Sequence, residues 1–208
     1  MNRKNLYLLF TLLLGFSSAF AQFGIKAGLN TANELRSFSS NDIAANFSSE
    51  NLTGYQLGLV YQAMPKKSGI GIEIGALLSQ KGSSFHIESS NSAYGPRNGY
   101  NETNYLEVPL NLRYNLKFGL VSIFLSGGIY GSCVLTSKST NVTDNTTNEK
   151  TFEEFSDRVD YGYNYGTGIE LLQKIQIGCN WTNGIKSLNS DFSTIKNKVF
   201  SLSLVYLL

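Results

Sequence analysis

The sequence contains one histidine, two cysteines, three prolines and only 15% charged residues. Each scarcity closes a class of explanation. With His86 as the sole histidine, any Ser-His or His-metal chemistry has to pass through it, and no His/Cys/Asp/Glu cluster has metal-ligand spacing. Ser83, Ser84, Glu88 and Ser89 lie near His86, so a rim lipid hydrolase or acyltransferase is the enzyme-class alternative; the plainer reading is a solvated loop histidine, with no catalytic residue, metal or cofactor. Charge this sparse falls well below the roughly 25% of an ordinary soluble domain. Disorder does not explain it, because disordered chains are poor in aromatics and this one has 13 Phe and 12 Tyr. After residue 21 no apolar run is long enough for a membrane helix.

What is present begins with an N-terminal export pattern. Arg3 and Lys4 precede an apolar run, and Ala19-Phe20-Ala21 offers a small-x-small cleavage site, so residues 1–21 read as a signal peptide and 22–208 as one domain. No cysteine stands directly after the run, so a lipid anchor is not expected. Removing Arg3 and Lys4 from 17 basic residues balances the 15 acidic ones, leaving no field for nucleic acid. Cys133 and Cys179 fall on the fifth and seventh strands read below, with a strand between them, so a disulfide is not expected.

Apolar and polar residues alternate with period two in eight segments, near 23–30, 55–62, 70–79, 106–115, 121–130, 161–171, 175–182 and 200–208. The clearest sets Leu106, Val108, Leu110, Leu112 and Tyr114 against Glu107, Pro109, Asn111, Arg113 and Asn115. Phe124, Tyr130 and Leu77 fall on the polar face of their strands. Short turns at 65–68, 117–119 and 173–174 alternate with long Asn/Ser/Thr-rich loops at 31–53, 87–103, 136–157 and 189–197. This predicts an all-β, eight-stranded antiparallel up-and-down transmembrane β-barrel, with periplasmic termini and extracellular long loops. Its partners would be outer-membrane lipid, the outer-membrane assembly machinery and envelope or secretion proteins.

The competing architecture is a soluble, exported, lipocalin-like ligand-binding barrel, apolar inside. Its outer face would carry Lys and Glu freely, whereas the polar face here is mostly Gly, Asn, Ser and Gln. Aromatics near strand ends (Tyr55, Tyr61, Tyr114, Tyr161, Tyr163, Tyr206) suit interfacial girdles, and Trp181 reads as a lipid-facing anchor. Pro109 has no N–H for the ladder, so a bulge or a local gap in pairing is expected there.

Two segments resemble a known family. Gly24-Ile25-Lys26-Ala27-Gly28-Leu29-Asn30 and Tyr105-Leu106-Glu107-Val108-Pro109-Leu110-Asn111-Leu112-Arg113-Tyr114 look like strands of the PorT-like outer-membrane β-barrel proteins. The resemblance runs in strand order through the mature chain. It implies a Gram-negative outer-membrane barrel, and the family's founding member is linked to protein secretion and gliding.

Inward parity gathers Lys26, Glu73, Arg113 and Glu170 at similar height into a structural charge belt. Glu73–Arg113, on neighbouring strands, is the expected pair, with Glu107 higher up as a further member. Because eight strands leave an interior just filled by side chains, the leading reading is a non-enzymatic barrel that anchors surface loops for adhesion, envelope integrity or secretion-complex assembly.

Overall fold

Alternation of this kind has one economical outcome, a sheet with unlike faces, and the chain forms one. The computed structural model describes residues 21–38, 47–65, 69–87, 97–149, 158–185, 188–190 and 193–208. Its strands are β1 (Ala21–Phe38), β2 (Phe47–Ala63), β3 (Ile70–Ile87), β4 (Arg97–Phe118), β5 (Val121–Asn141), β6 (Thr146–Glu149), β7 (Val159–Leu171), β8 (Ile175–Gly184), β9 (Leu188–Ser190) and β10 (Ser193–Leu207). Antiparallel pairing runs β1-β2-β3-β4-β5-β7-β8-β10, and β10 returns to β1 from Gly24↔Leu207 up to Phe38↔Ser193. The result is a closed ring of eight strands. β6 lies against the far end of β5, and β9 against that of β10.

Burial gives the ring its polarity. Phe23, Leu29, Leu59, Leu112 and Ile129 are each at least 60% exposed on the outside, while Asn30, Gln62, Arg113, Asp160 and Gln176 are at most 2% exposed inside. A barrel stable in water would bury the first set and solvate the second; only a hydrocarbon surround favours this arrangement. The lipocalin-like alternative fails on this point. Leu77 does face inward, joining Val60, Val205 and Leu207 in a small apolar cluster. Phe124 and Tyr130 also point inside. Aromatic rings gather on the outer surface near both strand ends. Phe23 meets Tyr61 with centroids 5.0 Å apart, and Trp181 lies between Tyr165 (5.7 Å) and Phe200 (5.3 Å). Cys133 and Cys179 are unbridged.

The strands outrun the segments read from hydropathy, which corrects the loop boundaries. β1 continues eight residues past Asn30, β4 starts nine before Leu106, and much of 136–157 is a β5–β6 hairpin. Beyond the apolar band both faces of a strand meet water, so alternation stops while the backbone ladder continues. Polar side chains there bond across strands: Thr103–Ser137 (3.0 Å), Asn104–Thr136 (2.9 Å) and Thr140–Thr147 (3.2 Å). Residues 1–20, 39–46 and 88–96, with Glu88 and Ser89 among them, lie outside the described residues.

Pro109 leaves a local gap. β3–β4 pairs run to Ile74↔Leu110 and resume at Leu77↔Glu107 in the same register, leaving Gly75 and Ala76 unpaired with Pro109 and Val108. On its other flank Pro109 pairs with Tyr130. Gly75 makes room for the ring, since a Cβ there would stand 3.1 Å from Pro109 Cγ. A one-residue shift between Asn104 and Tyr105 skips Leu135 on β5, a bulge where the strands leave the apolar band. At the short-turn end, Gly119 takes φ +67°, which the primed hairpin turns reserve for glycine, and Leu172 and Gln173 accept positive φ in the β7–β8 turn.

Close strand approach fixes which glycines are obligatory. A Cβ on Gly58 would sit 2.1 Å from the Ala76 carbonyl oxygen, whereas one on Gly131 meets nothing within 4 Å. Wild type and Gly131→Ala should therefore shift mobility between unheated and boiled samples in a detergent gel, as closed barrels do. Gly58→Val should lose the folded band.

Candidate functional site in the barrel lumen

Inward parity brings Glu73 (β3), Arg113 on the neighbouring β4, and Glu170 on β7, one strand further round, together near the short-turn end. Arg113 Nη1 donates to Glu73 Oε2 at 3.0 Å, and Nη2 to Glu170 Oε2 at 3.3 Å. Its Nε donates to Asn115 Oδ1 at 2.9 Å. The planar guanidinium thus serves two carboxylates and an amide at once, which a lysine cannot match. The floor is apolar: Arg113 Cζ lies 3.7 Å from the centroid of Phe124, whose ring rests on the Gly168↔Gly178 pair, where a Cβ would come within 2.5 Å and 2.9 Å of it.

Two glutamines tie the ring shut. Gln62 and Gln176 exchange hydrogen bonds of 3.1 Å and 3.0 Å. Gln62 also donates to Glu73 at 2.6 Å, and Gln176 to Glu170 at 2.8 Å. Buried charge is costly unless paired and hydrogen-bonded, and this layer meets both conditions.

A second layer lies nearer the long-loop end. Lys81 is ion-paired with Glu107, and its ammonium sits 5.1 Å and 4.8 Å from the ring centroids of Tyr105 and Tyr130. Tyr130 Oη donates to Asp160 Oδ2 at 3.1 Å, as does Asn197 Nδ2, also at 3.1 Å. Between the layers, Asn30 donates to Ser79 (3.1 Å) and accepts from Ser201 (2.8 Å), linking three strands across the lumen.

Of the five residues singled out from the sequence, Glu73, Arg113 and Glu170 are brought into one cluster. Glu107 is not part of it; its ion pair is with Lys81. Lys26 has no carboxylate within ion-pair distance among the described residues and lies between the layers, bordering cavities of about 10 and 30 Å³. Lys81 and Asp160 escaped the sequence reading because each sits just past the point where alternation was read to end, at Ser79 and Tyr161; continued parity would have turned both inward. His86 shares a hydrogen bond with Asn98 on the β3–β4 ribbon, and Ser83 points to the opposite face.

Outside the apolar band the exposed pair Lys138–Glu149 clips the β5–β6 hairpin at 2.8 Å. That hydrogen bond, reinforced by the lysine charge, holds the Glu149 carboxyl below the ordinary glutamate value and raises Lys138 in turn.

Closed sheet, apolar exterior and ion-paired interior together define a transmembrane β-barrel protein of the bacterial outer membrane. The chain belongs to the outer membrane protein β-barrel domain family, whose model matches residues 4–190. Among solved structures it is similar in fold to the outer membrane protein OprG from Pseudomonas aeruginosa (TM-score 0.50, 11% identity, covering 93% of this chain and 98% of that one). Others include the attachment invasion locus protein Ail of Yersinia pestis (0.45, 13%, 91% and 99%) and outer membrane protein W of E. coli (0.37, 15%, 91% and 99%). No curated protein matches the sequence.

Two outcomes follow. Arg113→Met strands two buried carboxylates and should cost about 3–5 kcal/mol in urea unfolding from lipid vesicles; Arg113→Met with Glu73→Gln and Glu170→Gln should recover most of that loss. Equal losses in the two variants would mean that these groups do not interact. The hairpin clip needs ionised Glu149, whose folded value is depressed, so its contribution is complete above the unfolded value near 4.5 and disappears as the pH falls through the lower folded value. After correction for intrinsic rates, amides of 146–149 should exchange faster at about pH 3 than at about pH 6, and Lys138→Ala should erase the difference.

Proposed function

We propose that this chain is a non-enzymatic outer-membrane anchor whose lumen is structural and whose working surface is the set of polar β-ribbons at the long-loop end. One observation carries the reading. Among the described residues the lumen is crossed by two ion-paired layers, and two cavities that border them measure about 10 and 30 Å³, against hundreds for a typical ligand pocket. Little is left for a solute to occupy, whereas β3–β4 and β5–β6 extend well beyond the apolar band. Lys26, Glu73, Glu107, Arg113 and Glu170 then serve as structural lumen charges.

On this reading residues 1–21 are removed on export, the outer-membrane assembly machinery inserts the barrel, both termini are periplasmic and the ribbons are extracellular. The PorT-like resemblance of 24–30 and 105–114 favours envelope or secretion-complex assembly over adhesion. The rim-hydrolase alternative rests on His86, so His86→Ala should leave phospholipid and lipid A turnover unchanged in purified membranes.

The purified barrel should show no steady ion conductance in planar bilayers, and an epitope at Asn145 should be cleaved by protease on intact cells. Replacing 142–145 with a Gly-Ser turn should keep the heat-modifiable band while abolishing co-purification of envelope proteins. Porin-like conductance, or cleavage only after lysis, would overturn the proposal.

A further inference from the structure

Charge is distributed unevenly along the barrel axis. Of the 15 acidic residues, Glu73, Glu107, Asp160 and Glu170 are buried in the lumen, and the others all fall in the long-loop segments 31–53, 87–103, 136–157 and 189–197. None remains for the short turns at 65–68, 117–119 and 173–174, yet each of those turns carries lysine. Among the described residues Lys117 and Lys174 are exposed there, with no exposed Asp or Glu side chain at that end of the barrel. The long-loop segments, by contrast, carry both signs.

The same turns present apolar side chains in positions that water disfavours. Phe118, Leu120 and Leu172 are 64%, 73% and 60% exposed. Leu172 also holds φ +54°, a left-handed conformation unfavourable for a bulky side chain. Backbone hydrogen bonds fix this form. Leu172 N donates to Leu120 O at 2.8 Å, and Lys174 N to Leu171 O at 3.0 Å. The β4–β5 and β7–β8 turns are thereby tied side by side, so Lys117 and Lys174 belong to one stretch of rim.

Whatever meets this rim has to offer hydrocarbon and negative charge together. Leu120 and Leu172 continue the lipid-facing rows that end in Phe118 on β4 and Leu171 on β7, so the apolar band reaches the turns themselves. A lysine at such an edge lays its stem along the apolar layer and lifts its ammonium to the headgroup level. Phosphates lie at that level. An acidic protein would match the lysines, but it would have to displace lipid to reach the three apolar side chains.

We infer that the short-turn rim is a binding surface for anionic phospholipid, with Lys117 and Lys174 taking the headgroup phosphates. The inference goes beyond the anchor reading and is independent of what the ribbons bind. The test uses the full barrel in phosphatidylcholine nanodiscs, with phosphatidylcholine replaced stepwise by phosphatidylglycerol and backbone amides followed by NMR. Amides of 117–120 and 172–174 should shift saturably, and those of 142–145 should not. Lys117→Gln and Lys174→Gln should each weaken the apparent preference for phosphatidylglycerol about fivefold while keeping the heat-modifiable band. Lys117→Arg with Lys174→Arg should retain it. Raising NaCl to about 0.5 M should weaken the wild-type preference through screening, a readout that needs no variant. Inorganic phosphate added to phosphatidylcholine nanodiscs should not reproduce the shifts. Rim amides indifferent to phosphatidylglycerol, equal shifts at 142–145, a preference unchanged by both Gln variants, or shifts reproduced by inorganic phosphate would each overturn the proposal. Should the Gln variants fail to fold, the wild-type lipid and salt titrations decide alone.

Discussion

Hydrocarbon offers no hydrogen bonds, so every backbone N–H and C=O at membrane depth has to be satisfied within the protein. The β1–β10 pairing meets that demand by turning an open sheet into a ring without edges. Closing a ring of only eight strands then dictates the interior. Such a barrel has little space inside, so large inward side chains need small ones opposite, and Phe124 lies flat because Gly168 and Gly178 face it. Pro109 marks a lapse of the ladder between Ile74 and Leu77. Its missing donor is tolerable because Gly75 accommodates the ring and the register is unchanged on either side of the gap.

Polar lumen residues follow from the same constraint, since an all-apolar barrel, greasy on both faces, would have no way to mark which side belongs to lipid. The cost is desolvated charge. The two layers meet it differently. Arg113 shares its donors between two carboxylates and stacks on an aromatic ring, leaving few of its hydrogen-bonding positions unused. Lys81, a point charge with one carboxylate, is bounded by the faces of Tyr105 and Tyr130. The residue types fit their surroundings: a planar fork where carboxylates lie on both sides, a compact ammonium where ring faces supply the remaining attraction.

The fold was legible in the sequence wherever the strand faces lipid on one side and lumen on the other. Leu106 to Tyr114 is the clearest case, because the two environments differ most and hydropathy records the difference residue by residue. Legibility ended where that contrast ended. The outer parts of β4 and β5 meet water on both sides, so Ser, Thr and Asn occupy both faces and the same ladder leaves no periodic trace. The site suffered from this cutoff. Glu73, Arg113 and Glu170 sit inside the alternating stretch and were found by parity. Lys81 and Asp160 sit just beyond it and were not, which also left Glu107 without its partner.

The distribution of unsatisfied groups bears on where function can reside. In the Arg113 layer nearly every side-chain donor is aimed at a neighbouring acceptor, so an incoming solute would have to break existing bonds before making its own. Above the apolar band the arrangement is different. Beyond its backbone ladder, the exposed β5–β6 hairpin is held by side-chain bonds such as the Lys138–Glu149 clip, Thr140–Thr147 and Asn141–Asp144. These are weak, solvent-screened interactions, and they leave outer hydroxyls and amides available to another molecule. A surface of that kind can exchange water for a partner at little cost. On the proposed reading, the rigid, self-satisfied lumen fixes the position of the ribbons, and recognition belongs to the ribbons because theirs are the polar groups not already committed.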